Sequence, residues 1–316
     1  MKDKWYLGID IGGTAVKIGL MNEEGEILKT CTEAVNFDGY ETPILETVKK
    51  SITFFLKENT EYEKKLCGVG VSATGQIDTS SGIVIGTAGH IKNWMGSKIK
   101  EELEELLKLP VSVANDANCA ALGEYWIGAA KGVQNVIVIT IGTGVGGGII
   151  TGGKLLLGAQ GIAGELGHFI IQADGKSCSC KSRGCYEKYA STTALIELIN
   201  DEISMCRLEA FADRVNGKTI FQELKKGNKQ LAQLVDHWID YVAAGMVSLI
   251  HIFNPSLMLI SGGVSSQKEL FIDKLESKIR KQIMPSYGVG LRIEKAALEN
   301  SAGLAGAVYN HIFSQN

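Results

Sequence analysis

Short apolar segments alternate along the chain with glycine-rich turns and with stretches whose apolar residues recur at helical spacing. Two segments share one plan. "LGIDIGGTAVKIGLMNEEGEIL" (7–28) and "VIVITIGTGVGGGIITGGKLLL" (136–157) each read as a strand, a Gly/Thr-rich turn, a second strand, a glycine-containing turn and a third strand. Ile9-Asp10-Ile11-Gly12-Gly13-Thr14 aligns with Ile139-Thr140-Ile141-Gly142-Thr143-Gly144 at an offset of 130, which points to an internal duplication. "GVGVSA" (68–73), "VSVAND" (111–116) and "LMLISGG" (257–263) read as further buried strands. Ile44, Leu45, Val48, Ile52, Phe55 and Leu56 predict a helix over 41–58, and Ile99, Leu103, Leu106 and Leu107 predict another before Pro110. Longer helices are predicted over 229–252, 267–281 and 302–313. Strands alternating with helices give an α/β fold of duplicated β-meander/helix halves, with a nucleotide expected between them.

Composition adds mainly exclusions. The chain has 316 residues, 45% hydrophobic and 21% charged, which is globular and long enough for two domains. A net charge of −3 offers nothing to attract a nucleic acid. Met1-Lys2-Asp3-Lys4 runs into a strand without a signal-peptide pattern, and no apolar run approaches the roughly 20 residues of a membrane helix. A cytoplasmic location is therefore expected, with no membrane partner. In that compartment stable disulfides are rare, and seven cysteines cannot all pair within one chain.

The two glycine turns carry the first candidate chemistry. Successive backbone N–H groups in such turns cradle phosphate oxygens. Asp10, Gly12, Gly13 and Thr14 add an acid suited to Mg²⁺ and a hydroxyl; Thr143 and Gly144 belong to the matching turn. Either turn alone also fits a plain hairpin. Both together, with Gly262 and Gly263 downstream, favour ATP. In "VANDANCAALGE" (113–124) a strand gives way to a helix starting near Ala117, placing Asn115 and Asp116 at a strand end. Asp116 then fits two roles: N-cap of that helix, and general base toward a hydroxyl that attacks the γ-phosphate.

His168, Cys178, Cys180 and Cys185 form H-x₉-C-x-C-x₄-C, a donor set suited to a closed structural zinc site. A Cys178–Cys185 disulfide and thiols without a function are the alternatives. Cys31, Cys67, Cys119 and Cys206 read as small buried residues. Glu165 lies three residues before His168 and Glu187 two after Cys185, so a metal clip would pin both acids where they could grip sugar hydroxyls; the alternative is that both are solvated surface acids.

"DIGGT", "NDANCAALGE", "TIGTGVGGGI", "GELGH" and "CSCKSRGCYEKYAS", in this order, resemble the ROK family of bacterial sugar kinases and sugar-responsive repressors, from residue 6 through "AGLAGAVY" (302–309). The resemblance implies a two-domain actin-like ATPase (ribonuclease H-like) fold, with ATP and sugar meeting in the interdomain cleft. The expected division is 1–115 plus 300–316 against 116–299, the larger part carrying the cysteine loop. By resemblance Asp116 is the base for a sugar hydroxyl, usually the 6-hydroxyl. Gly75, Asn93, Asn115, Glu165, His168 and Glu187 contact the sugar, with His168 also a zinc ligand. Asp10, Gly12, Gly13, Thr14, Thr143 and Gly144 serve phosphate and Mg²⁺, and Gly262 and Gly263 adenosine. A homodimer is usual for such proteins. Lys181 departs from the pattern, which commonly has glycine there. The strand begins by residue 5, leaving no room for the DNA-binding domain of the repressors. The expectation is therefore an ATP- and Mg²⁺-dependent, glucokinase-like hexose kinase with structural zinc. N-acetylmannosamine kinase, β-glucoside kinase and a non-catalytic sugar sensor are the alternatives.

Overall fold

A computed structural model describes residues 4–86 and 91–313. The first glycine-punctuated segment forms an antiparallel meander of β1 (Trp5–Ile11), β2 (Ala15–Asn22) and β3 (Ile27–Ala34). Helices α1 (Ile44–Lys57), directly after Pro43, and α2 (Thr60–Glu63) lead to β4 (Leu66–Ala73), which lies parallel to β1. A small hairpin, β5 (Gln76–Asp78) and β6 (Ile83–Gly86), and helix α3 (Ile99–Leu107) precede β7 (Val111–Asn115), parallel to β4. The sheet order is β3-β2-β1-β4-β7.

Helix α4 (Asp116–Trp126) carries the chain to a second sheet. There β8 (Val136–Ile141), β9 (Val145–Thr151) and β10 (Lys154–Leu155) repeat the antiparallel meander. A long excursion follows through α5 (Glu187–Ala190), α6 (Thr192–Ser204), α7 (Gly217–Lys225) and α8 (Lys229–Phe253). Then β11 (Leu257–Ser261), α9 (Asp273–Gln282), β12 (Arg292–Lys295) and α10 (Ala302–Phe313) complete the fold. The order β10-β9-β8-β11-β12 repeats that of the first sheet strand for strand, with β11 parallel to both neighbours. The aligned motifs occupy equivalent places: Ile11 pairs with Val16 across the first turn, and Ile141 with Val145 across the second.

Each sheet has its own core. Leu7, Ile9, Ile18, Val48, Ile52 and Trp94 are fully buried in the first, and Ile139, Tyr186, Phe271 and Leu275 in the second. β1 and β4 are buried on both faces, one by the first core and the other by α10, whereas β3 stays largely exposed at its edge. Helix α10 packs on β1, β4 and β7 and against α4, which also touches β8 and β9. The helix expected over 267–281 begins with a π turn at Lys268–Ile272, where Ile272 N–H reaches back five residues to the Gln267 carbonyl (3.2 Å). Among the described residues no helix is long and apolar enough to cross a membrane.

Candidate active site and cysteine cluster

The parallel register of the first sheet sets the floor of the site. Asp10 pairs with Ser72 and Ser72 with Ala114; Ile11 pairs with Ala73 and Ala73 with Asn115. The carboxyl ends of β1, β4 and β7 are therefore level, the edge at which open α/β sheets hold ligands. Helix α4 starts there, and its N-cap is Asn115 rather than Asp116. The Asn115 side chain accepts from Ala117 N–H (2.9 Å) and Asn118 N–H (3.1 Å), and donates to the Gly75 carbonyl (2.9 Å) and to Asp116 Oδ1 (3.0 Å). The extended backbone of Asn115 lets its short amide fold back over two orphan N–H groups, while Asp116 Oδ1 accepts only from Ala117 N–H (2.8 Å).

With the N-cap role taken by Asn115, Asp116 keeps part of its surface exposed. Desolvation, then the charge of Asp10 and more weakly that of Glu165, raise its carboxyl to about 6, against the lowering bond from Ala117 N–H and the Thr74 side chain. Burial also raises Asp10, while the Ser72 hydroxyl, donating to Asp10 Oδ1 at 2.6 Å, and Lys17 oppose the shift. Two acids with disfavoured charges thus share one floor, the pattern expected where a proton or cation is to be handled.

The glycine turns lie at the ends of the meander hairpins. Gly12 N–H bonds the Ala15 carbonyl and Gly142 N–H the Gly144 carbonyl, both at 2.9 Å, leaving Thr14 and Thr143 exposed at the tips. The Tyr40 hydroxyl donates to the Gly13 carbonyl (2.7 Å). In the second sheet Thr140 pairs with Ser261, so the 142–144 turn adjoins Gly262 and Gly263. Gly262 has φ +94° and lies so close to the Ile141 carbonyl that no Cβ fits, whereas Gly263 faces open space.

The four donor atoms of His168, Cys178, Cys180 and Cys185 lie within 4.8 Å of one another. His168 Nδ1 is 3.6 Å from Cys178 Sγ, and Cys180 Sγ is 3.5 Å from Cys185 Sγ. Thiolates sharing a tetrahedral zinc are about 3.8 Å apart by simple geometry, so the donor set fits that ion. The Ser182 backbone, foremost, holds the Cys180 thiol below its ordinary value, while burial and the neighbouring thiols push Cys185 up to about 12. All seven cysteines are unbonded. Cys119 and Cys185 are buried, but Cys67 and Cys206 are exposed and Cys31 half-buried, which corrects the reading of Cys31, Cys67 and Cys206 as interior residues: each lies on an edge strand, at a strand's outset or beyond a helix end rather than on a core face.

Past the cluster, Glu187 N–H bonds the Gly167 carbonyl (2.9 Å) and its carboxylate accepts from Val145 N–H (3.1 Å). Glu165 is exposed, its carbonyl accepting from His168 N–H (3.0 Å). Asn93 is exposed with φ 55°, its amide 3.5 Å from the Tyr40 carbonyl. The adjoining Trp94 donates to the Thr74 carbonyl (2.9 Å). The structure thus gathers Asp10, Gly75, Asn115 and Asp116 on one floor and brings Glu187 onto the 142–144 turn. Ser72 and Thr74 were missed in the sequence. Their only signal is a place at the end of a strand whose neighbours carry Asp10 and Asn115 at their own ends.

Known proteins resemble this chain along nearly its whole length. Residues 6–312 match the ROK family. A glucokinase of Thermotoga maritima is 32% identical over 307 residues, covering 95% of this chain and 95% of that protein. A β-glucoside kinase of Listeria innocua is 32% identical over 309 residues, covering 97% of each. The crystal structure of a ROK family glucokinase from Streptomyces griseus, in complex with glucose and AMPPNP, matches with a TM-score of 0.80 at 32% identity, covering 99% of this chain and 100% of that one.

Proposed function

The chain belongs to the ROK family, and from that premise we propose that it transfers the γ-phosphoryl group of ATP to the 6-hydroxyl of a glucose-like hexose, with Asp116 as general base. The coarser statement, that it is an ATP-dependent sugar kinase with the actin-like ATPase fold, follows from kinase relatives matched along nearly their whole length and from the duplicated sheet order. The observation that carries the finer reading is Asp116 itself. It is a carboxylate at the carboxyl edge of the first sheet, oriented by the Asn115 amide, with its proton affinity raised toward neutrality.

In the proposed reaction Asp116 takes the proton as the sugar O–H bond breaks. The oxygen forms a bond to the γ-phosphorus, and the bond from that phosphorus to the β–γ bridging oxygen breaks to release ADP. Glu165, His168, Glu187, Gly75, Asn93 and Asn115 are proposed to face the sugar. The 12–14 and 142–144 turns would supply amides to the phosphates, and Gly262–Gly263 would lie under adenosine. Asp10 would hold Mg²⁺, and its half-buried carboxylate beside the exposed turn fits such an ion. When bound, Mg²⁺ neutralises phosphate charge. His168, Cys178, Cys180 and Cys185 would hold a structural zinc that orders the loop carrying Glu165 and Glu187. The division of the chain at 115/116 and 299/300 is kept as a proposal, supported by the separate core of each sheet.

Coupled ADP release tests this with ATP, Mg²⁺ and a panel of glucose, mannose, N-acetylglucosamine, N-acetylmannosamine, fructose and cellobiose. Glucose at least tenfold above the others in kcat/KM is expected. The β-glucoside kinase of Listeria innocua is as similar as the glucokinase, so cellobiose in first place would move the assignment there. Silence across the panel, with tight sugar binding by calorimetry, would leave a sugar sensor.

A further inference from the structure

Beneath the site floor, Ser72 is fully buried on β4, opposite Asp10 in the β1–β4 register, and its hydroxyl donates to Asp10 Oδ1 at 2.6 Å. Asp10 is confined on its second flank as well: a Cβ on Gly303, in the first turn of the twelve-residue α10, would stand 2.7 Å from Asp10 Oδ2. Only a glycine leaves the carboxylate room to lie against that helix start, where the helix dipole favours negative charge.

We propose that Ser72 is a positioning residue for Asp10: its hydroxyl occupies Oδ1 and thereby presents Oδ2 to a metal–nucleotide complex. Nothing places Ser72 itself against substrate, because it has no exposed surface. A half-buried carboxylate holds its charge more readily when a lone pair is satisfied, and a hydroxyl donor to a charged acceptor is among the stronger single hydrogen bonds. Ser72 is the one described residue seen to donate a hydrogen bond to that carboxylate, while Lys17, its cross-strand neighbour, spends its ammonium on the Asn300 carbonyl (2.9 Å). The same bond narrows the side-chain torsions of Asp10, so the free oxygen is aimed before any ligand arrives. This inference rests on the kinase reading above, and specifically on Asp10 serving the metal.

The test is a double-mutant cycle read by calorimetry rather than turnover. ADP is titrated into the whole protein with Mg²⁺ and, separately, with EDTA, for wild type, Ser72→Ala, Asp10→Ala and the double variant. Wild type is expected to bind ADP more tightly with Mg²⁺ than without. Ser72→Ala should cut that metal-dependent gain by about tenfold while leaving the metal-free affinity within about twofold. Asp10→Ala should abolish the gain, and adding Ser72→Ala to it should change nothing further. Equal weakening with and without Mg²⁺, or a further loss in the Asp10→Ala background, would show that Ser72 only fills space and would overturn the proposal. So would a Ser72→Ala variant with the full gain. If wild type shows no metal-dependent gain, the role of Asp10 falls and this proposal with it; the sugar panel decides separately whether a kinase remains.

Discussion

The carboxylate of Glu187 accepts a hydrogen bond from Val145 N–H at 3.1 Å, joining the exit of the cysteine loop to the first residue of β9. On the other side of the same turn, Thr192 N–H donates to the Gly142 carbonyl (2.8 Å). Any Cβ at Gly144 would strike the Glu187 carboxylate. The segment that follows Cys185 therefore grips the 142–144 turn from both ends, and order in the loop becomes order in the turn.

Cys180→Ser is accordingly expected to do more than release the metal. Sugar affinity should fall because Glu165, His168 and Glu187 lose their frame, and ADP affinity should fall several-fold because the turn loses its clamp. Zinc content with calorimetric titration of glucose and ADP checks both. A variant without metal that keeps its sugar affinity would show that the cluster does not organise the pocket.

Asp116→Asn is expected to lower kcat by roughly 10²–10⁴-fold with sugar affinity largely kept. A variant retaining more than about a tenth of wild-type kcat would remove Asp116 from the role of base. The same substitution should stabilise the fold at neutral pH. The native carboxyl titrates at about 6 against an ordinary 3.8, so between those values the native state binds more protons than the unfolded one. Stability from this group is then present at low pH and lost as pH rises through about 6. The amide variant escapes that loss, by on the order of 1–3 kcal/mol at pH 7.5 and near zero at pH 4. Urea melts at the two pH values measure it.

The pH profile of turnover follows from the same group. The base must be deprotonated, so kcat/KM should fall on the acid side with an apparent pKa near 6 rather than near 4. After desolvation, the charge of Asp10 is the largest cause raising Asp116, so in Asp10→Asn whatever activity remains should have its acid limb moved down. A limb unmoved by that variant would assign the titration to another group.

Much of this was legible because it is local. The repeated meander, the strand end at Asn115 and the H-x₉-C-x-C-x₄-C spacing each lie within one stretch of chain, where period and ligand type are visible. What was illegible depends on register between distant strands. Ser72 meets Asp10 only because β4 lies parallel to β1, and Glu187 meets Val145 only after the cysteine loop folds back. The misread cap has a similar cause: Asn and Asp are equally good N-caps in isolation, and the last residue of β7 decided between them. The fifth strand of the second sheet, Arg292–Lys295, is too short and too charged to signal itself.

Gly262 and Gly263 should separate fold from ligand. Gly262→Ala forces a Cβ onto the Ile141 carbonyl at a φ that L-residues avoid, and should cost about 2–4 kcal/mol of stability. Gly263→Ala adds its methyl to open space and should melt like wild type. If adenosine lies over this turn, the methyl should nevertheless raise the KM for ATP while leaving that for sugar unchanged. Unchanged ATP kinetics would move adenosine elsewhere.

Lys181 sits between two cysteines of the cluster with φ 72°, and its N–H closes a turn onto the Cys178 carbonyl (3.0 Å). This is the left-handed region, which costs a non-glycine residue roughly 1 kcal/mol and which glycine adopts freely. Lys181→Gly should remove that strain, offset in part by the greater freedom of glycine in the unfolded chain. The substitution also removes an exposed positive charge from beside the thiols, which works in the opposite direction. Lys181→Ala separates the two, since it discards the charge and keeps the strain. Zinc retention, measured by competition with a chelator, should therefore rank Lys181→Gly above Lys181→Ala by about two- to fivefold, the equivalent of up to ~1 kcal/mol. Equal retention in the two variants would mean that the loop, once the metal is bound, bears the strained torsion without loss.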